Sequence, residues 1–386
     1  MNRIIALISI LFFTLTKLFA QEKKEEKDMG DKLKVGYETY VDFHYTYDFN
    51  QPINNKRYTN SNPEFVNQFG LAYTYGQLYL EYGKIQVKAA AHAGDIVDIM
   101  YVNEDQIFKY IRELSLTYKI HDKLEIQTGI FPAIFGSETF INKDNLHATR
   151  AVMTDFAPDY EAGVRLKYRM GSYWSGTAQF TNGWQVFRDN NNSPAFGIAQ
   201  VYDKPGKLLF NYGIFVGNET YDYHKQKNSF KMYHNVFGRV YAGKWIIAPM
   251  VDLGMIKDSV THEMKYWQSI GGSLRYGINK KWGVAARYEH INDPHQIIND
   301  LVRPGVNLTN GFQYHGSTVT VEYLPNNDIT FRLEARDSRN IDPIFTNKDG
   351  IAQSKTDFFI MFSIAMKFTH WGSVKVNRDP GLKDHF

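Results

Sequence analysis

Residues able to do chemistry are plentiful in this 386-residue chain, but the spacings that build catalytic sites are missing. Serine and histidine both occur, yet there is no Gly-x-Ser-x-Gly and no His-Glu-x-x-His. His290 and His295 stand in His-Ile-Asn-Asp-Pro-His, where five residues and a proline make a poor pair of metal ligands. There is no cysteine, which excludes disulfides, thiolate zinc sites, cysteine-held iron–sulfur clusters and thiol nucleophiles. No metal and no cofactor is therefore expected.

What recurs instead is charge at alternate positions. Arg332, Glu334 and Arg336 are separated by Leu333 and Ala335. Glu38, Asp42, Lys84, Lys88, Glu113, Arg165, Arg287, Glu289 and Glu322 fall on the polar side of similar alternations. Charges this frequent cannot face lipid, at about 2–4 kcal/mol for each Lys or Arg at a bilayer midplane. They need water or each other. The chemistry on offer is thus electrostatic: the lining of an aqueous passage. With Lys109, Glu125, Lys167, Arg239 and Arg275, which fall on the same side, basic residues slightly outnumber acidic ones, a weak lean toward anions; a salt-bridged wall without selectivity is the plainer reading. Arg332, Glu334 and Arg336, with Glu322, Arg287 and Glu289, are candidates for such a network.

A second concentration lies in Pro132 to Glu161, a long stretch without strand pattern. It holds Glu138, Lys143, Asp144, His147, Arg150, Asp155 and Asp159. Phe131, Phe135, Phe140, Ile141 and Phe156 accompany them, which argues against plain disorder. Loops of this length are usually functional or disordered. Folded back into a lumen, this one would bury its aromatics and set charges across the passage as a constriction. The alternative is an exposed surface loop.

The elements that must position these residues are strands. In Val35 to Tyr47 the odd positions are mainly apolar or aromatic and the even ones mainly polar, the mark of a strand between two environments. Sixteen such segments are expected, beginning near residues 34, 64, 84, 107, 124, 162, 174, 195, 207, 229, 245, 263, 282, 312, 329 and 357. Two irregularities stand out. Arg112 falls on the apolar register of Leu114 and Leu116, as either a rim arginine that snorkels or a wrongly placed strand boundary would produce. The phase also changes between Leu80 and Ile85, as a turn at Gly83 would produce. The connections alternate in length: odd ones are long or intermediate, even ones short. In an up-and-down sheet this puts all long loops at one end.

Net charge is only +3, which argues against a nucleic-acid partner. Hydrophobic residues make up 43% and there are 26 Tyr, 27 Phe and 6 Trp, too many aromatics to hide easily among 22% charged residues. Beyond the first twenty residues no run of about 18 apolar residues exists, so helical spans are excluded. The first residues have the layout of an export signal: Arg3, then apolar Ile4 to Thr16, then Leu18-Phe19-Ala20 before Gln21. The organisation expected is a signal peptide over 1–20, a charged periplasmic segment over 21–32, a barrel over 33–368 and a periplasmic extension over 369–386. An open sheet in a bilayer would leave unpaired edges, so the sheet must close. The fold expected is all-β: a transmembrane, antiparallel, up-and-down barrel of about 16 strands.

Several segments resemble one family. Gly129 to Glu138, followed by Asp144-Asn145, Arg150, Pro158 and Gly163, is similar to a stretch of the OmpL-like β-barrel porins of Bacteroidetes-type bacteria. Thr181-Asn182-Gly183-Trp184-Gln185 resembles that family's Asn-Gly-Trp segment. Arg287-Tyr288-Glu289 with Asp293, and Tyr323-Leu324-Pro325 followed by Arg332 to Arg336, resemble its C-terminal half. Tyr40-Val41-Asp42 and Tyr47 to Asn50 fit its opening strand. The resemblance implies a bacterial outer-membrane porin passing small hydrophilic solutes, with outer-membrane lipid, lipopolysaccharide and the insertion machinery as partners and a homotrimer as one candidate assembly. A weaker likeness points to phosphate-selective porins. A closed structural barrel and an outer-membrane enzyme are the other readings.

Overall fold

The computed structural model describes residues 32–57, 63–220, 228–258, 261–298 and 308–375. The expected export signal and the segment before Lys32 lie outside these. Period-two alternation becomes sixteen barrel strands, every neighbouring pair antiparallel. In chain order they are β1 (Lys32–Asp48), β2 (Phe69–Tyr82), β3 (Ile85–Ala93), β4 (Ile111–His121), β5 (Leu124–Pro132), β6 (Tyr160–Arg169), β7 (Trp174–Thr181) and β8 (Ala195–Lys204). Then follow β9 (Leu208–Thr220), β10 (Asn228–Ala242), β11 (Trp245–Lys257), β12 (Met264–Gly277), β13 (Trp282–Asp293), β14 (Phe312–Tyr323) and β15 (Ile329–Asn340). A two-stranded hairpin, β16 (Phe345–Asn347) and β17 (Gly350–Ser354), interrupts the last loop before β18 (Thr356–Lys375). Strand β18 pairs with both β15 and β1 and closes the barrel, so no edge is left to pair with another chain.

The long connections follow the odd-numbered strands of the first fourteen and gather at one end; the short ones gather at the other. Gly83 turns the β2–β3 connection with φ +57°, a left-handed conformation that costs glycine nothing. This accounts for the phase change there. Outward side chains are apolar and open: Phe43, Leu114, Ile198, Ile270, Val319 and Leu333 are each more than half exposed. Such a continuous belt would drive aggregation in water and needs lipid to cover it. At the short-turn end the belt finishes in aromatic pairs: Trp174 with Tyr202, Trp245 with Tyr276, Trp282 with Tyr323, and Tyr79 with Trp371. Amphipathic rings are stable at this depth, where apolar chains meet headgroups. No helix among the described residues is long and apolar enough to cross a membrane.

Four expectations need correction. The second strand begins at Phe69, not near residue 64; Phe65 instead bridges to Lys56, and Val66 is buried within the first loop. The fourth begins at Ile111, because Phe108–Tyr110 form a 3-10 turn. Arg112 does not snorkel at the rim. The register slips between Ala90 and Ala91, so that two residues oppose one, and such a bulge re-aims a side chain. Arg112 thereby bonds Gln77 at 2.7 Å and lies over the Tyr75 ring. Finally, β18 continues past Phe368 to Lys375, held by its pairing with β1 through Lys32, so residues 369–375 belong to the wall.

Not all aromatics face outward. Tyr40, Tyr73, Tyr75, Phe215, Tyr233 and Trp267 are buried inside. Gly254 stands opposite Trp267, and a Cβ added there would come within 1.9 Å of the indole. Gly254→Val should therefore destabilise the folded barrel by about 1–3 kcal/mol through overpacking. The measurement is the temperature at which the heat-modified form appears on a gel; an unchanged midpoint would show that the indole has room to move.

Candidate functional site: the lumen and its in-folded loop

Two structures turn inward from the long-loop end. One is a short helix, α1 (Asp95–Met100), in the β3–β4 connection. The other is the β5–β6 connection. Its Phe135, Ile141 and Phe156 are buried, as are Asn142, Asn145, His147, Thr149, Met153 and Thr154. Apolar clusters hold it on three sides. Ile141 joins Tyr73, Tyr160, Ile96 and Met100; Met153 and Phe156 join Met250, Ile291, Phe312 and Tyr314; Phe135 joins Phe215, Tyr233 and Trp267.

Across the lumen from its own strands, the loop is fastened to β13, β14, β15 and β18 by polar contacts. Arg332 donates to the carbonyls of Asn142, His147 (2.8 Å) and Asn145 (2.7 Å). Arg287 donates to the Thr149 carbonyl at 2.8 Å, and Arg336 to the Arg150 carbonyl at 2.9 Å. The carboxylates take the loop's amides: Glu334 accepts from Ala148 N at 2.7 Å and Thr149 N at 3.2 Å, and Glu289 accepts from Met153 N at 3.1 Å. The same groups pair with one another, Arg332 with Glu322 (3.2 Å), Arg336 with Glu289 (2.9 Å) and Arg287 with Glu138 (3.3 Å). In this buried network Nε of Arg287 and of Arg336 keep no hydrogen-bond partner, while the other groups named satisfy one another. All six wall residues singled out by spacing therefore meet in one place.

The other expected residues divide. Within the loop, Glu138 accepts from Ala151 N at 2.6 Å. Arg150 donates to Asp155 at 2.9 Å through Nε and to Asp159 at 2.6 Å. His147 is fully buried and bonded to the Thr320 hydroxyl at 2.7 Å. Burial, with the charges of Arg287, Arg332 and Arg336, holds its pKa well below the usual value, so it is neutral. Asp144 is half exposed and pairs with Lys367 at 2.8 Å, and Lys143, beside it, is half-buried. On β1, Asp42 takes the Asn142 amide and Glu38 takes the hydroxyls of Tyr75 and Thr369. Lys88, Glu113 and Arg165 form a separate ladder on β3 to β6: Lys88 lies 3.6 Å from Glu113, and Gln127 links Glu113 to Arg165. Lys84 is in none of this. It occupies the exposed β2–β3 turn, because the phase change at Gly83 moves it out of the wall.

Sequence reasoning did not find the carbonyls of Asn142, Asn145 and Thr149, since main-chain acceptors have no residue signature. It also did not find Arg57, which reaches over the first loop to bond Asp357 at 3.1 Å. Among the described residues no three His, Asp or Glu gather as a metal site requires.

No curated protein matches the chain. Among solved structures, the anion-selective porin from Comamonas acidovorans superposes with a TM-score of 0.61 at 9% identity, covering 87% of this chain and 100% of that one. OmpT of Vibrio cholerae, in its trimer form, gives 0.54 at 10% identity over 87% and 99%. OprB of Pseudomonas putida gives 0.51 at 11% over 87% and 94%. At these identities the likeness speaks for the barrel fold alone. The sequence pattern of the beta-barrel porin-2, OmpL-like family matches residues 34–368, all but the ends of the wall described above. The chain belongs to that OmpL-like beta-barrel porin-2 family and is a porin of the outer membrane.

Proposed function

We propose that this porin passes small hydrophilic solutes by passive diffusion, with residues 132–161 as its constriction, and that it is not an enzyme. The observation that carries this reading is the fastening of the loop to the far wall by Arg287, Arg332 and Arg336. A loop held across a lumen by buried hydrogen bonds and ion pairs narrows the passage without closing the barrel. The weak lean toward anions rested on a count of basic residues. Three of the residues counted, Arg287, Arg332 and Arg336, are spent on carboxylates and loop carbonyls, which weakens that lean and a phosphate-selective channel alike. The Comamonas neighbour is described as anion-selective, which is a property of that protein. The assembly to test first is a homotrimer in lipopolysaccharide-containing membrane, inserted by the outer-membrane machinery; the Vibrio neighbour is described in a trimer form.

Purified, heat-modifiable protein in a planar bilayer is the test. Stepwise ionic conductance is expected. Its absence in folded protein would favour a closed structural barrel or an enzyme. Deleting residues 139–157 should leave a folded barrel whose conductance rises severalfold. Unchanged conductance in that variant would remove the constriction.

A further inference from the structure

A hollow lies inside the barrel between α1, β1 and the in-folded loop. Ile96, Ile99, Met100 and Phe140 make one side of it apolar. Asp42, Asn142 and Asp155 make the other side polar. The hydrogen bonds on that polar side are unevenly spent. Arg150 uses Nε and both terminal nitrogens on Asp155 and Asp159, and the amide nitrogen of Asn142 goes to Asp42. This leaves Asp42 Oδ1, Asn142 Oδ1 and Asp155 Oδ2 with no protein partner, on residues 2%, 5% and 8% exposed. All three are acceptors. The Tyr40 hydroxyl beside Asp42 has one proton, which goes to that carboxylate and leaves the acceptors of Asn142 and Asp155 open. Charge is short in the same sense, since the single positive charge of Arg150 faces both Asp155 and Asp159. Buried acceptors left this way are costly, and a buried carboxylate without full compensation more so. The hollow has room for about one water-sized group.

An ammonium group is that size, donates three hydrogen bonds and carries the missing charge, so that it takes the place of a proton otherwise held on Asp155. The apolar side suits the first carbons of whatever carries it. We propose that this hollow binds a water-sized monovalent cation that donates hydrogen bonds, a primary ammonium group, either free or as the head of a passing solute. This deepens the channel reading by naming a solute class, and rests on it for access to the lumen.

The test is equilibrium binding to the folded full chain in detergent, by calorimetry, at constant ionic strength. Methylammonium chloride should bind saturably at one site. Tetramethylammonium, too bulky and without N–H donors, should bind at least about tenfold more weakly, the loss expected when charge-assisted hydrogen bonds go unmade. Asp155→Asn should weaken methylammonium binding by a similar factor. Ile99→Trp keeps every acceptor but fills the hollow, and should abolish binding; heat-modifiable migration checks that both variants fold. Ammonium chloride separates the sources: equal affinity supports a free cation, and weaker affinity supports a solute head read by the apolar side. The proposal falls if wild type shows no saturable heat because water alone fills the hollow, if both quaternary and primary cations bind alike, or if neither folded variant changes the binding. A protein that conducts but does not bind sinks this inference alone. One that binds but does not conduct sinks the channel reading alone.

Discussion

Replacing Arg332 and Arg336 together by methionine should release residues 139–157 from the far wall and raise single-channel conductance severalfold. Arg332 supplies donors to three loop carbonyls and to Glu322; Arg336 supplies Thr149 Oγ1 (3.1 Å), the Arg150 carbonyl, Tyr314 (3.0 Å) and Glu289. Methionine keeps much of the bulk and none of the donors. Breaking a buried pair by removing one partner costs about 3–5 kcal/mol, chiefly from the charge left behind. Here the lower end of that range applies, because Glu322 retains Arg275 and Glu289 retains the Met153 amide. The remaining strain falls on the docked loop, whose carbonyls lose their partners while the strands keep their ladders. The barrel should therefore stay folded and the loop should leave. Wild-type conductance in folded double variant would show that the apolar clusters alone hold the loop.

The second large effect is on pH. Burial pushes Asp155 up to about 7, only partly opposed by Arg150, while Asp159 adds to the rise and Arg336, from β15, opposes it. Burial raises Asp159 as well. Arg150 is held above its usual value: burial would lower it, and the two carboxylates outweigh that. One positive charge between two buried carboxylates favours keeping one proton in the group. The sign follows from linkage. Docked, Asp155 binds a proton that it would release when undocked and solvated near its usual 3.8. Docking is thus strongest below that value and weakens as pH rises toward 7, by up to about 1.4 kcal/mol per pH unit. Conductance should be low at pH 5 and rise on passing through 7. Asp155→Asn, which cannot ionise, should hold the low-conductance level at pH 8. A flat profile from pH 5 to 9 in wild type, or an unaltered profile in Asp155→Asn, would remove Asp155 as the cause.

Much of the barrel was legible beforehand because a strand's side chains alternate strictly. Ile329, Phe331, Leu333 and Ala335 against Thr330, Arg332, Glu334 and Arg336 leave no doubt about which face meets water. The alternation fails where the backbone stops being regular. At Arg112 a bulge adds one residue, so that Arg112 is read onto the wrong face while Glu113 and Leu114 beyond it are not. At Phe108 an apolar segment forms a 3-10 turn that looks like a strand start. At Lys84 a turn was counted as wall. Past Phe368 the alternation in Thr369 to Ser373 is weak, and only the partner strand β1 shows that the wall continues.

The candidate site was legible in the same uneven way. Arg332, Glu334, Arg336, Arg287, Glu289 and Glu322 could be assigned to the lumen from spacing, since charges have nowhere else to go in a lipid-covered barrel. What they do there could not. Their main partners are carbonyls and amides of Asn142 to Met153, and a backbone group looks the same under every side chain. Period and charge along the chain thus determined the closed barrel, its two ends and the wet inner face, because these depend only on local alternation and on the cost of unpaired groups in lipid. The tertiary structure decided that three arginines bind a loop instead of lining an open wall, that tyrosines pack inward, and that buried acceptors are left facing one hollow. Those are contacts between separate elements, and for the arginines between segments more than a hundred residues apart, which local alternation along one strand does not encode.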